Sequence, residues 1–199
     1  MDYYQIISDN FQDTIETIAL SVDTLAEPVG LASQLMVTTL LEDRKIIACG
    51  NGVDGALAQL FACNLLSRFD RERPALPALS LNSDGTSLTA IAHSGGLNEI
   101  YSRQVRALGQ PGDLLLCISS AGETTNLLRA IQAAHERNMA VVALSNGSDD
   151  ELGSLLHQED VEIRINGPRR ARIVELQTMT LHCLCELIDH SLFGAYNQE

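Results

Sequence analysis

Apolar residues recur at helical spacing through the first ~25 positions of the chain, at Ile6, Ile7, Phe11, Ile15, Ile18 and Ala19. Beyond Pro28 a second helix is predicted, with Leu31, Leu35, Met36 and Leu40 along one face. From Lys45 onward the pattern changes to short apolar runs separated by amphipathic stretches. The runs at 45–49, 78–81, 114–118, 140–144 and 161–165 read as strands. Helices are predicted at 56–69, 86–92, 98–108, 125–137, briefly near 151–156, and over a long final stretch, 171–192. Leu114-Leu115-Leu116-Cys117-Ile118 and Ala140-Val141-Val142-Ala143-Leu144 are apolar throughout, as strands covered on both faces are. Strand-helix alternation of this kind builds an α/β, doubly wound parallel sheet, whose ligands bind outside the carboxyl ends of the strands. No internal repeat or low-complexity segment interrupts it.

Composition narrows the class. With 199 residues, 45% of them hydrophobic and 20% charged, the chain can bury the core of one ordinary domain. Thirteen Lys and Arg against 26 Asp and Glu give a formal charge of −13, which repels polyphosphate and argues against direct DNA or RNA binding. Apolar stretches break well short of the ~20 residues a membrane span needs. Met1-Asp2-Tyr3-Tyr4-Gln5 lacks the basic-then-apolar layout of a signal peptide. Five cysteines, an odd number spread through predicted core elements, fit reduced thiols in a cytoplasm. Cys183 and Cys185 diverge on a helix, which argues against a shared metal.

Two strand ends carry chemistry. The run Lys45-Ile46-Ile47-Ala48-Cys49 empties into Gly50-Asn51-Gly52 and then a helix, an arrangement that aims backbone N–H groups at an anion. The run ending at Ile118 empties into Ser119-Ser120-Ala121-Gly122-Glu123-Thr124-Thr125, a hydroxyl-rich loop that suits a phosphate. A plainer role for Thr124 or Thr125 is to cap the following helix.

These loops, CGNG at 49–52, FDRERPALPALSLNSD at 69–84, VRALGQPGDLLLCISSAG at 105–122, VEIRI at 161–165 and the final stretch 172–193 resemble the sugar isomerase (SIS) family. The similarity is to the branch holding phosphoheptose isomerase and the DnaA initiator-associating protein, and it covers nearly the whole chain. It implies a five-stranded, flavodoxin-like sheet and a homotetramer. It also implies an N-terminal helical pair used in assembly (1–33) ahead of the SIS domain (34–196).

The family's isomerases convert sedoheptulose 7-phosphate to a heptose phosphate. They use a general base and a zinc ion, held by His and Glu on the helix after GNG and by Gln and His on the last helix. Here those positions read Leu60, Asn64, Val174 and His182. Leucine and valine cannot ligate zinc, asparagine is no base at neutral pH, and one histidine is too few for a zinc site. The expectation is therefore no catalytic residue, no metal and no cofactor, zinc entering only if an isomerase site has been rebuilt. Asp54 stands where the isomerases have a serine, and a carboxylate there repels phosphate. Val53, Ala121, Glu123 and His93-Ser94 depart from the isomerase pattern as well. Asn51, Gly52, Ser119, Ser120 and Thr124 stay as candidate phosphosugar contacts.

The remaining histidines, His93, His135, His157 and His190, lack company at metal spacing. Arg71-Glu72-Arg73-Pro74 reads as a solvated loop, with an inter-subunit salt bridge as the sharper option. The basic turn Asn166-Gly167-Pro168-Arg169-Arg170 reads as solvent-exposed, with a crossing loop near the cleft or an interface as the alternative. In the initiator-associating branch a Leu-Phe pair past the last helix belongs to the surface that binds the replication initiator DnaA. It maps onto Leu192 and Phe193, which would otherwise pack back on their own subunit. The resemblance thus implies a cytoplasmic, non-catalytic tetrameric scaffold for DnaA in replication initiation. A sugar-phosphate isomerase with a rebuilt site and a phosphosugar-sensing module are the alternatives.

Overall fold

A computed structural model describes residues 2–120, 124–147 and 150–194. The chain opens with helix α1, Tyr3–Leu41, whose N-cap Asp2 accepts from the Gln5 N–H. The helical pair expected on either side of Pro28 is this one continuous helix, with Pro28 inside it. Proline removes a backbone donor and costs a helix interior about 3 kcal/mol. Packing across the break offsets that loss. Thr17, Ser21, Val29, Ala32, Ser33, Met36 and Leu40 form one buried stripe on both sides of Pro28, and α1 lies against the final helix and the last strand.

Five strands follow, β1 (Ile46–Gly50), β2 (Ala78–Ser80), β3 (Leu114–Ile118), β4 (Ala140–Asn146) and β5 (Val161–Ile165). They form one all-parallel sheet in the order β2-β1-β3-β4-β5, with Ile46 opposite Leu114 and Leu114 opposite Ala140. The remaining helices are α2 (Val53–Leu66), α3 (Gly85–Gly95), α4 (Ser102–Leu108), α5 (Thr125–Glu136), α6 (Asp150–Ser154) and α7 (Arg170–Phe193). The predicted helix at 98–108 divides into a 3₁₀ turn, Leu97–Glu99, and α4. Alternate residues of each strand face opposite layers. Ile46, Ala48, Leu114, Leu116, Leu144 and Ile163 join Met36, Phe61, Leu65, Leu184 and Ile188 on the side of α1, α2 and α7. Ile47, Cys49, Leu115, Cys117 and Val141 join Tyr101, Val105, Leu127 and Ile131 on the side of α4 and α5.

The 71–74 loop is solvated at Glu72 and Pro74, as its charges suggest, but not at Arg73. The Arg73 side chain is buried and pairs with buried Asp189 of α7 in the same chain at 2.6 Å. Three charges in a row ahead of a proline give no local sign of this, because the partner lies 116 residues away.

The start of α2 is fixed by two glycines. Gly52, the N-cap, adopts φ +58°, a conformation L side chains rarely take. At Gly50 a Cβ would lie 2.6 Å from the Asp54 carbonyl carbon and oxygen, so β1 and the first turn of α2 touch backbone to backbone. Gly50→Ala is expected to cost about 1–3 kcal/mol by overpacking, read as a lower urea midpoint with an unchanged slope. A midpoint equal to wild type would show that the turn yields freely.

Candidate functional site

The carboxyl ends of β1 and β3 lie side by side, with Gly50 in register with Ile118. This juxtaposition brings the two predicted loops together. Asn51 does not stand open to solvent: its amide exchanges two hydrogen bonds with Asn126 of α5, at 2.9 and 2.7 Å. Asn82, beyond β2, clamps the other side, accepting from the Gly50 N–H and donating to the Gly50 carbonyl and the Tyr101 hydroxyl. Tyr101 in turn donates to the same carbonyl, and burial pushes its phenol up to about 12. Gln177 of α7, fully buried, donates to the Ser119 and Leu144 carbonyls and so ties α7 to the ends of β3 and β4.

The central finding is Asp54. In the first turn of α2 it is 1% exposed, and its Oδ2 accepts from the Ser120 backbone N–H at 3.0 Å. The basic turn is exposed as expected, Arg170 included, and from there Arg170 Nε donates to the Ser120 hydroxyl at the edge of the cradle at 3.0 Å. Burial pushes the Asp54 carboxyl above its ordinary range, while hydrogen bonds from Ser120 and the Arg170 charge pull it back. Oδ1 has no hydrogen-bond partner among the described residues. A side-chain anion thus occupies a helix N-terminus with a loop N–H and an arginine around it, which is the recognition chemistry of a phosphate.

Of the five candidate phosphosugar contacts, Asn51, Gly52, Ser119, Ser120 and Thr124 all lie at these two loops. Ser119 and Ser120 are each 1% exposed, and Thr124 is the N-cap of α5 without a side-chain capping bond. Ala121 and Glu123 lie outside the described residues. Asn126, Asn82, Tyr101 and Gln177 were not singled out in the sequence, and Arg170 only as part of the basic turn. Their only signal was polarity within apolar elements or, for Arg170, a basic turn before a helix.

The positions to which the family resemblance assigns zinc are on α2 and α7. Leu60 and Val174 pack against the main core. The Asn64 carbonyl accepts from Arg73, and burial pushes the Cys185 thiol up to about 12, with the Asn64 side chain drawing it back. His182 lies 5.4 Å from the Phe69 ring, centroid to centroid, tilted by 35°. Two aliphatic side chains, a committed amide and one ring-packed imidazole do not fit a zinc ion.

The tail pair ends α7 rather than following it. Leu192 and Phe193 are half-buried against the main core, Arg71 sits over the Phe193 ring at 5.5 Å, and its Nη1 donates to the Gly194 carbonyl. Two histidines read as isolated meet in space. The rings of His135 and His157 stack at 3.7 Å, and His135 Nε2 lies 2.8 Å from Asp160 Oδ2.

A parallel five-stranded sheet with polar loops converging where β1 and β3 end defines an open α/β fold of the kind that binds ligands outside the carboxyl ends of its strands. Residues 10–146 match the SIS domain model, and the chain belongs to the SIS domain family. It is 47% identical to a phosphoheptose isomerase of Chromohalobacter salexigens over 98% of this chain and 99% of that one. It is equally 47% identical to the DnaA initiator-associating protein DiaA of Photorhabdus laumondii, over 92% and 93%. The structure of phosphoheptose isomerase GmhA from Neisseria gonorrhoeae superposes with a TM-score of 0.88 at 36% identity, covering 94% of this chain and 98% of that one. The five-stranded α/β architecture expected from the sequence is therefore that of the family.

Proposed function

We propose that this protein is a non-catalytic, cytoplasmic SIS-fold homotetramer that serves as a scaffold for the replication initiator DnaA. The observation that carries the reading is Asp54, whose carboxylate sits among the donors a substrate phosphate would use. Loss of the metal-binding side chains at Leu60, Asn64 and Val174 supports it, as does the similarity to an initiator-associating protein. Self-association is supported by α1, whose first turns expose Tyr3, Tyr4, Ile6, Ile7, Phe11 and Ile15, apolar area that a solvated monomer would leave in water. Half-buried Leu192 and Phe193 still offer an apolar edge for a partner.

A second reading is favoured by the relatives named phosphoheptose isomerase: a sugar-phosphate isomerase with a rebuilt site. It would have to take its base from Asp54, the buried carboxylate of the cradle. One experiment separates the two. Sedoheptulose 7-phosphate isomerisation is assayed with added zinc, beside capture of purified DnaA by wild type and Phe193→Ala. The proposal expects no turnover, capture by wild type, and weaker capture by a variant with an unchanged thermal midpoint. Turnover that vanishes in Asp54→Asn would establish the isomerase instead. Stabilisation by the sugar phosphate without turnover would indicate a sensing module.

A further inference from the structure

We propose that His135, His157 and Asp160 form a binding site for a divalent cation of the zinc, nickel and copper class, at the end of the sheet opposite the Asp54 cradle. His135 lies in the last turn of α5, and Asp160 immediately precedes β5. His157 comes from the connection between α6 and β5. The β4 and β5 strands begin here, so the cluster flanks their amino ends, whereas the polar loops of the cradle leave the carboxyl ends of β1 and β3.

The geometry is that of a site partly assembled. One ligand atom from each residue lies within 4.8 Å of the other two. Around a tetrahedral ion with bonds of ~2.0–2.2 Å, ligand atoms stand roughly 3.4 Å apart, so a slight widening of the His135–Asp160 pair and an approach by His157 close the set. Two of the three are already held. Asp160 is 1% exposed at its side chain and accepts from the Val141 N–H through Oδ1 and the His157 N–H through Oδ2. His135, 14% exposed, lies on the same Oδ2. Those backbone donors fix the carboxylate in the way outer partners orient metal ligands.

His157 is the mobile member. An imidazole lone pair lies in the ring plane, so two stacked rings cannot aim at one ion. Because His157 is exposed on a loop, its ring can turn out of the stack while His135 and Asp160 stay in place. Beside the cluster lies a cavity of about 410 Å³, whose wall includes Glu42, Asn138 and Glu159. It leaves room for water to complete the coordination and supplies further oxygen atoms. Two imidazoles and one carboxylate select borderline transition metals over calcium or magnesium, and the −13 net charge concentrates cations around the protein. Anchoring the loop needs only the His157 backbone N–H on Asp160; beyond its stack on His135, the second imidazole is left for the ion.

The test uses the full chain, stripped with chelator and titrated with zinc against a competing indicator, with cobalt absorption as a second readout. Wild type is expected to take about one ion per chain, with a raised thermal midpoint. His157→Ala, an exposed position that leaves the fold intact, is expected to lose at least tenfold in affinity, the order seen when a site loses support. His135→Gln should do the same. His182→Ala and Cys63→Ser should bind as wild type does. Unchanged binding in His157→Ala, no saturable uptake by wild type, or loss confined to His182→Ala or Cys63→Ser would each overturn the assignment. Loss in His182→Ala alone would also return a metal to the family's catalytic position, whereas the other failures leave the scaffold reading intact.

Discussion

Asp54→Ser is expected to give the protein an anion site that the wild type lacks. The substitution removes a charge that lies among the Ser120 N–H, the Ser120 hydroxyl, Arg170 and the first turn of α2, and it leaves those donors in place. A phosphate entering beside an ionised Asp54 at about 4 Å meets a repulsion of roughly 4 kcal/mol at an effective dielectric near 20. That is enough to weaken binding by about two to three orders of magnitude. Thermal melting with inorganic phosphate, and then with sedoheptulose 7-phosphate, measures the outcome. The variant should gain stability with ligand concentration, by about 2.7 kcal/mol at a hundredfold excess over Kd, while the wild type stays flat. Equal responses from the two proteins would mean that Asp54 does not close the cradle.

The same residue sets a pH dependence whose sign can be worked out. Burial raises the folded carboxyl above its ordinary value, so within that window the folded state holds more protons than the unfolded one. Wild-type stability attributable to Asp54 is then greatest at acidic pH. It is lost as pH rises through the unfolded carboxylate range towards the folded value. Asp54→Ser lacks this loss, so the stability difference in favour of the variant should widen from pH 4 towards neutrality. A constant difference across that range would show that Asp54 titrates as an ordinary exposed carboxylate.

Much of the scaffold was legible because it is written locally. Apolar runs such as Leu114–Ile118 are buried on both faces and announce themselves without knowledge of their neighbours. The glycine turn at 50–52 needs only its own backbone. By contrast, Pro28 gives a strong local signal to stop, and only the packing of α1 against α7 and β5 shows why the helix continues. The candidate site divides along the same line. Asp54 could be read as repelling phosphate, but its contact with Ser120 joins residues 66 apart, and Asn51 with Asn126 joins residues 75 apart. Arg170 looked like any basic residue in a turn until the chain brought it to Ser120, 50 positions away. His135 and Asp160 are 25 residues apart, with no spacing that a metal motif would betray. Long-range polar pairs leave no periodicity, and that is where the sequence fell silent.

Arg73→Ala is expected to be the most destabilising single change considered. The Arg73 and Asp189 side chains are 1% and 0% exposed, and Arg73 Nε donates to Asp189 Oδ1 at 2.6 Å. Removing one partner of a buried pair strands the other charge and costs about 3–5 kcal/mol. Arg73 also caps α2: Nη2 donates to the Asn64 carbonyl and Nη1 to the Leu65 carbonyl, both at 2.8 Å, in the last turn of a helix ending at Leu66. These donors satisfy carbonyls that lack intrahelical partners, and the positive charge favours a helix carboxyl end. A double variant, Arg73→Met with Asp189→Leu, separates the two roles. If the stranded charge dominates, the double variant should recover most of the lost stability, since apolar replacement of a whole buried pair is often neutral. If capping dominates, the double variant should stay as unstable as Arg73→Ala. Urea unfolding at fixed protein concentration reads both, and a loss below about 1 kcal/mol in Arg73→Ala would place the pair among ordinary surface contacts. The stakes reach the functional face, because this arginine joins α2 to α7, the helices carrying Leu60, Asn64, Val174 and His182. A buried ion pair that also caps α2 thus ties together the two helices to which the family resemblance assigns the metal positions.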